Sequence, residues 1–320
     1  MAMSRRKLRR TLSRLLLLAP VAAAGPGCGW SSTSGCEEKG GISHSNIPIS
    51  VLRLSDGGTP PEGASCEELC ALAGGLPGPC ELKPEVGWVM CPVPNLCEGR
   101  RPEGLCTDGA VAGRVPPLGV LFAKMAHLEA ASVPAFERLA DELAAHGAPE
   151  RLVRAARRSA AEEVRHARAM ESLAVRHGAA MPEMTVAPFR DRSLEALALE
   201  NAVEGCVRET FGALLAAWQA RCAEDAGVRE SLATIAPDEL RHAELSYAID
   251  AWAMSRLSPE ARARVEAARR EAWLALERDS AASTLPEEVA RQAGLPSSEV
   301  AQRLVRELAR SMAARTPALA

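Results

Sequence analysis

The sequence predicts an all-α protein: an antiparallel four-helix bundle with extra C-terminal helices and a small cysteine-rich N-terminal module. Apolar residues make up 47% of the 320 residues but aromatic residues only 3%, so the core must consist mainly of Ala, Leu and Val, which favours helices over strands. From Leu118 onward, apolar or small residues recur every three or four positions, the spacing of one helix face. Eight of the ten cysteines lie at or before Cys106, which sets the front of the chain apart.

The predicted bundle helices span about 118–147, 149–177, 193–222 and 227–254. Gly147 and Gly178 follow the first two helices as stop signals, and Ser193 can cap the third. Short links predict antiparallel neighbours, although the longest link, 178–192, can instead cross over the bundle. Two further helices begin near Ser258 and Ser297, and they either pack on the bundle or form a surface for a partner.

The first 27 residues have the features of a signal peptide, which predicts an exported protein of the periplasm or cell envelope. A basic stretch is followed by ten apolar residues, Leu15 to Ala24, too few to span a bilayer. Residues 4–8 resemble a twin-arginine signal, with an ordinary basic stretch as the alternative. Residues 25–28 resemble a lipoprotein cleavage site, which would place a lipid on Cys28 and anchor the protein to the membrane; cleavage after Ala24 is the alternative.

The next stretch, residues 28–113, is rich in Cys, Gly and Pro and is predicted to be a linker with a small disulfide-stapled module. Its closest cysteine spacing is C-x-x-x-C at Cys66 and Cys70, and the lack of any C-x-x-C pair favours disulfides over a zinc site. Residues 65–72 suggest one short helix. The predicted divisions of the chain are 1–27, 28–113, 114–255 and 256–320.

Two of the bundle helices carry a glutamate and a histidine where apolar residues are expected. On the apolar face of the second helix these are Glu163 and His166, and on the fourth they are Glu239 and His242. Residues three apart share a helix face, so both side chains of each pair can bind one metal ion.

The other two helices each offer one more glutamate on the apolar face. Glu129 lies 34 residues before Glu163, and Glu204 lies 35 residues before Glu239, so the two halves repeat one pattern. Unpaired carboxylates in a helical core cost several kcal/mol each. Two divalent cations neutralise about four negative charges, which predicts a two-metal site.

These motifs resemble the ferritin-like superfamily, the group of bacterioferritin and rubrerythrin, over about residues 116–255. They are most similar to its bacterial ferritin-like domain proteins of unknown activity. The resemblance implies a di-iron site, with manganese as the alternative. Pro134 and Pro237, inside the first and fourth helices, depart from the pattern and are expected to kink them. The implied ligands are Glu129, Glu163, His166, Glu204, Glu239 and His242.

Other acidic residues near these positions have further interpretations. Glu162 and Asp238 either accept hydrogen bonds from the ligand histidines of the opposite helix or pair with arginines on their own helix. Glu200 is either an additional ligand or a carboxylate at the rim. Glu209 lies about 140° around an α-helix from Glu204, so it is interpreted as structural.

The functional expectation is a dimetal redox protein that acts on Fe(II), peroxide or O₂, with no catalytic residue beyond the metal ligands. The lack of C-x-x-C motifs makes its electron donor external, or the ferrous substrate itself. The alternatives are a non-catalytic metal-binding or structural envelope lipoprotein, an oxygenase with an organic substrate, and a bundle that binds no metal. A net charge of −3 provides no broad basic surface, which argues against nucleic acid as a partner.

Overall fold

In the computed structural model the chain is mostly helical, which agrees with the all-α prediction. The residues described are 5–17, 35–36, 42–49, 59–61, 63–72, 80–83, 87–94, 100, 102, 105–108, 116–186, 188–281 and 285–313.

The long helices begin and end close to where the sequence predicts. Gly147 and Gly178 adopt positive φ angles of 68° and 76° just beyond two helix ends, a conformation that glycine reaches without strain. Ser193 accepts a hydrogen bond from the backbone N–H of Ala196 and caps the next helix. The helices are α1 (Arg5–Leu16), α2 (Cys66–Leu72), α3 (Pro117–Ala145), α4 (Glu150–Arg176), α5 (Leu194–Glu200), α6 (Thr210–Cys222), α7 (Ala226–Met254), α8 (Pro259–Ala281), α9 (Glu287–Ala293) and α10 (Ser298–Ala313).

Between α5 and α6 the chain is a π-helix, Asn201–Glu209, called the π segment below. The sequence predicts one uninterrupted helix over this stretch, and its outer limits are right but its central geometry is not α-helical. In contrast, α3 and α7 continue through Pro134 and Pro237.

The apolar core is divided into two clusters along the lengths of α3, α4 and α7. On α3, for example, Phe122 and Ala126 belong to one cluster, and Phe136 and Leu139 belong to the other. The helix pairs α3–α4 and α6–α7 pack together most extensively, and both α4 and the π segment also pack on α7. Five of the predicted ligands lie on α3, α4 and α7 between residues of the two clusters, where they interrupt an otherwise apolar core: Glu129, Glu163, His166, Glu239 and His242.

Small antiparallel sheets, which the sequence analysis did not predict, form mainly within residues 35–108. One sheet has the strand order β2–β4–β3, and the other has the order β1–β5–β6. Strand β6 belongs to the link between α4 and α5, and its Val186 pairs with Leu105 of β5, so this link is held by the cysteine-rich part. The strands are β1 (Gly35–Cys36), β2 (Ile42–Pro48), β3 (Glu81–Lys83), β4 (Trp88–Pro94), β5 (Leu105–Asp108) and β6 (Glu183–Val186).

A disulfide in the cysteine-rich part joins Cys66 and Cys80. The sulfur atoms of Cys66 and Cys80 are 2.19 Å apart, at bonding distance, and Cys70 is also disulfide-bonded. The pairing of Cys66 with Cys80 agrees with the disulfides that the spacing predicts, and the sulfur atoms of Cys66, Cys70 and Cys80 all lie within 4.8 Å of one another.

Within the predicted signal peptide, residues 5–16 form the helix α1. Its Leu8 and Leu12 are buried against the rest of the fold, and Arg9 Nε lies 2.5 Å from Oε1 of Glu244 on α7. Cys28 and the predicted cleavage sites lie outside the described residues. None of the described helices is both long and apolar enough to cross a bilayer.

Candidate metal centre

One group of potential ligands joins three helices. Glu129 of α3, Glu163 and His166 of α4, and Glu239 of α7 each place one ligating atom within 4.8 Å of the others. The Nδ1 atom of His166 lies 3.1 Å from Oε1 of Glu239 and 3.6 Å from Oε2 of Glu163. This group can hold a metal ion.

A second group adjoins the first and shares Glu239 with it. Glu209 from the end of the π segment, Glu239 and His242 place their ligating atoms within the same 4.8 Å limit. Glu163 links the groups, because its Oε1 lies 3.0 Å from Nδ1 of His242. Glu163 and Glu239 thus lie between the two imidazoles, with Glu129 on the His166 side and Glu209 on the His242 side.

The polar atoms that face this space are buried and make no hydrogen bond within the described part of the chain. Buried polar atoms are almost always hydrogen-bonded in folded proteins, and each exception needs a physical explanation. A convergent set of carboxylate oxygens and imidazole nitrogens fits divalent transition metals, whose coordination would satisfy all of these atoms. The atoms are Oε2 of Glu163, Nδ1 of His166, both oxygens of Glu209, Oε1 of Glu239 and Nδ1 of His242.

The far side of each imidazole is held by a carboxylate from the opposite helix. The Nε2 atom of His166 lies 3.2 Å from Oδ2 of Asp238, and that of His242 lies 3.0 Å from Oε2 of Glu162. An ionised carboxylate can only accept, so Nε2 carries the proton and donates. In the neutral imidazole this leaves the Nδ1 lone pair directed toward the cluster, as metal coordination requires.

Arginines also contact both of these supporting carboxylates. Burial acts to raise the pKa of Glu162, but hydrogen bonds from His242 and Arg241 outweigh it and lower the pKa to about 2. Arg165 Nη2 of α4 donates to Asp238 at 3.1 Å, and Arg241 contacts both Asp238 and Glu162. Asp238 therefore has both roles expected from the sequence, because it binds an arginine of its own helix as well as the opposite histidine. Glu162 binds the opposite histidine, but its hydrogen-bonded arginine is Arg241 of α7 and not the expected Arg165.

Burial without metal disturbs the ionisation of the inner ligands. Burial, and next the charge of Glu163, raise the pKa of Glu129 well above its usual value. Burial and then the charge of Glu239 raise the pKa of Glu209 to about 8. Burial opposes the charged form of His166, yet the three carboxylates that face its Nδ1 atom, Glu129, Glu163 and Glu239, raise its pKa. In the metal-free site, protons therefore supply the positive charge that the glutamates require.

The structure corrects the sequence prediction for the third bundle helix. Glu209, interpreted from α-helical geometry as structural, joins the cluster, whereas Glu204 is outside both groups and lies 3.4 Å from Nε of Arg208. The reason is the π segment, whose i→i+5 hydrogen bonds add about one residue to each turn. This brings the residue five positions after Glu204 toward the face that Glu204 would occupy in an α-helix.

Glu200 lies outside both ligand groups, and both its oxygens bind arginines. Its Oε1 accepts from Nη1 of Arg100 at 2.7 Å, and its Oε2 accepts from Nη2 of Arg192 at 2.5 Å. Arg100 is completely buried, and sequence analysis missed it because a single arginine in a non-periodic segment carries no recognisable signal.

Comparison of the chain with protein-family models, curated proteins and solved structures gave no match.

Proposed function

We propose that α3, α4, the α5–π–α6 segment and α7 form a ferritin-like four-helix bundle that binds two iron ions and carries out redox chemistry on Fe(II), peroxide or O₂. Manganese is the alternative metal. The single observation that supports this proposal is the convergence of unpartnered carboxylate oxygens and both histidine Nδ1 atoms in the polar layer between the two apolar clusters.

The arrangement of ligands supports a pair of ions rather than one. Each imidazole serves its own group, and Glu163 and Glu239 contact both, which suits bridging carboxylates. Four glutamates and two neutral histidines balance the charge of two divalent ions. Carboxylate-rich shells with one imidazole per metal favour iron or manganese over structural zinc.

Bound iron would supply electrons and open coordination positions for the oxidant. The protein's own contribution is to hold the ligands rigidly, to direct the imidazole Nδ1 atoms toward the cluster by holding each Nε2 atom, and to exclude bulk water. His242 is completely buried, and Glu163 is 1% exposed, so small molecules such as Fe(II), O₂ or peroxide fit this site better than a bulky substrate.

The signal-peptide features and the disulfides support a place in the periplasm or cell envelope, with a lipid on Cys28 as the proposed membrane anchor. Disulfides persist in oxidising compartments. Metabolic labelling with a fatty acid, compared between the wild type and Cys28→Ala, tests the anchor directly. Lipid that remains on the Cys28→Ala variant would place the attachment elsewhere.

Metal counting tests the dimetal proposal. The purified chain is stripped with a chelator, reloaded with Fe(II) or Mn(II) without oxygen, and analysed for metal per chain. We expect about two ions in the wild type and loss of both in a Glu163→Gln/Glu239→Gln double variant. The matched control is Glu171→Gln/Glu230→Gln, which changes exposed glutamates on the same two helices.

Redox activity is measured separately on the same samples. Fe(II) is added in excess, O₂ or peroxide follows, and the near-ultraviolet absorbance of ferric iron is recorded. Oxidation faster than in the double variant supports the redox proposal. Two bound ions without accelerated oxidation would favour the non-catalytic metal-binding alternative, and equal metal contents in the wild type and the double variant would exclude the site itself.

A further inference from the structure

Arg100 connects the cysteine-rich part of the chain to the interior of the helices. Its side chain is completely buried, although arginine is almost never buried without partners. Nη1 donates to Glu200 at 2.7 Å, and Nη2 donates to Oδ1 of Asn201 at 2.8 Å. Its carbonyl oxygen accepts from the Ser132 hydroxyl of α3 at 3.1 Å. The guanidinium is therefore fixed where α5 ends and the π segment begins.

The π segment is shaped to receive this guanidinium. A Cβ atom added to Gly205 would lie 2.5 Å from Nη2 of Arg100 and 2.5 Å from Oγ of Ser246, so only glycine fits there. Asn201 also donates from Nδ2 to the carbonyl oxygen of Ser246 at 3.0 Å. The segment is thus clamped between Arg100 and α7 along its first half.

Such a clamp has a specific consequence for the metal ligands. π-Helices are rare and short, and they require support from their surroundings. In the π form Glu209 belongs to the cluster with Glu239 and His242. In an α-helix, Glu209 would lie about 140° from Glu204, so both could not face the cluster together. The π form therefore brings Glu209 to the cluster, while Glu204 lies outside both ligand groups.

We propose that Arg100 is a positioning residue that holds Asn201–Glu209 in the π form and thereby selects Glu209, rather than Glu204, as the ligand from this helix. This inference rests on the proposed metal site for its purpose, but not for its geometry. Arg100 also lies over the Phe136 ring, 5.5 Å from its centroid, and that ring is 5.0 Å from the imidazole of His242. Arg100 thus supports the same end of the site from two directions.

The geometric claim can be tested without metal. Glu204→Cys and Glu209→Cys are placed separately in the wild type and in Arg100→Leu, with native disulfides intact, and alkylation at each position is followed by peptide mass spectrometry. In the wild-type background we expect position 204 to react faster than position 209. In Arg100→Leu this order should reverse or disappear, and an unchanged order would overturn the proposal.

Metal binding supplies the second measurement. In the wild type, Glu209→Gln should weaken metal affinity by about 10–100-fold and Glu204→Gln by much less. In Arg100→Leu the larger loss should shift to Glu204→Gln. If the wild type binds no metal, the dimetal function fails while the alkylation order still decides the role of Arg100. If metal binds but depends on Glu209 equally in both backgrounds, only the role of Arg100 is overturned.

Two further variants make these tests decisive. Arg100→Lys keeps the charge but loses the two-pronged donor geometry, so an intermediate shift is expected, and it replaces Arg100→Leu if that variant does not fold. Arg192→Leu removes the other arginine bound to Glu200 without touching Asn201 or Gly205. It should leave the order of the two positions unchanged, and a shift as large as that of Arg100→Leu would assign the effect to Glu200.

Discussion

The Nδ1 atom of His242 lies 3.0 Å from Oε1 of Glu163, while Nε2 of the same ring lies 3.0 Å from Oε2 of Glu162. Consecutive residues of α4 therefore hold both nitrogens of one imidazole from α7. The reverse contact follows the same plan: Glu239 and Asp238 of α7 hold Nδ1 and Nε2 of His166. This reciprocity explains why both helices carry an acidic pair at the positions four and three residues before the histidine.

Removing a supporting carboxylate should weaken metal binding without removing a ligand. In Glu162→Ala, Nε2 of His242 loses its acceptor, so neither the tautomer nor the ring orientation stays fixed. We expect affinity to fall by about 10–100-fold in a chelator competition titration. Glu162→Gln keeps an acceptor oxygen but loses the charge, so its metal affinity should fall less. Glu171→Ala, an exposed change on the same helix, is the control; an affinity of Glu162→Ala equal to this control would contradict the prediction.

Metal binding should release protons, and affinity should rise with pH. Burial and then the charge of Glu239 raise the pKa of Glu209 to about 8 in the metal-free protein, so below that pH an incoming ion must displace its proton. The logarithm of the affinity should rise by about one per pH unit for each proton released. The number of protons released on metal binding, measured in weakly buffered solution, should be lower by one per chain in Glu209→Gln than in the wild type. No release at pH 6 would show that the site is already ionised.

The raised pKa of Glu209 should also make the stability of the metal-free protein depend on pH. A carboxyl group whose pKa is raised in the folded state stabilises the fold at pH values below its pKa in the unfolded chain. That stability is lost as the pH rises through its pKa in the folded protein. The contribution of Glu209 should therefore decline from about pH 4.5 to about pH 8. Glu209→Gln should remove this decline in denaturant titrations of the stripped protein, and a decline of the same size in Glu209→Gln would assign it to other groups.

The limits of the sequence prediction follow from what helical periodicity can show. Five of the six proposed ligands lie in the two groups because Glu129 and both Glu-x-x-His pairs occupy regular α-helices, where spacing gives the face directly. Glu204 was chosen over Glu209 by the same rule, which fails where an extra residue per turn rotates the helix. Arg100 approaches from outside any helix, and contacts between distant segments leave no local pattern.

Bound metal should raise the thermal stability of the protein. A ligand present at about 100 times its Kd stabilises the native state by about 2.7 kcal/mol, which corresponds to roughly 5–10 °C for a domain of this size. The Glu163→Gln/Glu239→Gln variant should show no metal-dependent increase. A metal-dependent rise of equal size in both proteins would place binding elsewhere.

Substitution of Gly205 should be costly, unlike a similar change at another helical glycine. In Gly205→Ala the new methyl group meets Arg100 and the Ser246 side chain at 2.5 Å, and both residues are buried. We expect a loss of about 1–3 kcal/mol in the free energy of unfolding, as for other overpacked cores. Gly227→Ala gains the same helix propensity, and its methyl group meets only the end of Arg176, whose side chain is 45% exposed and can move aside. Urea titration should therefore show Gly227→Ala within about 1 kcal/mol of the wild type. Equal effects of the two substitutions would mean that the guanidinium of Arg100 does not lie against the π segment.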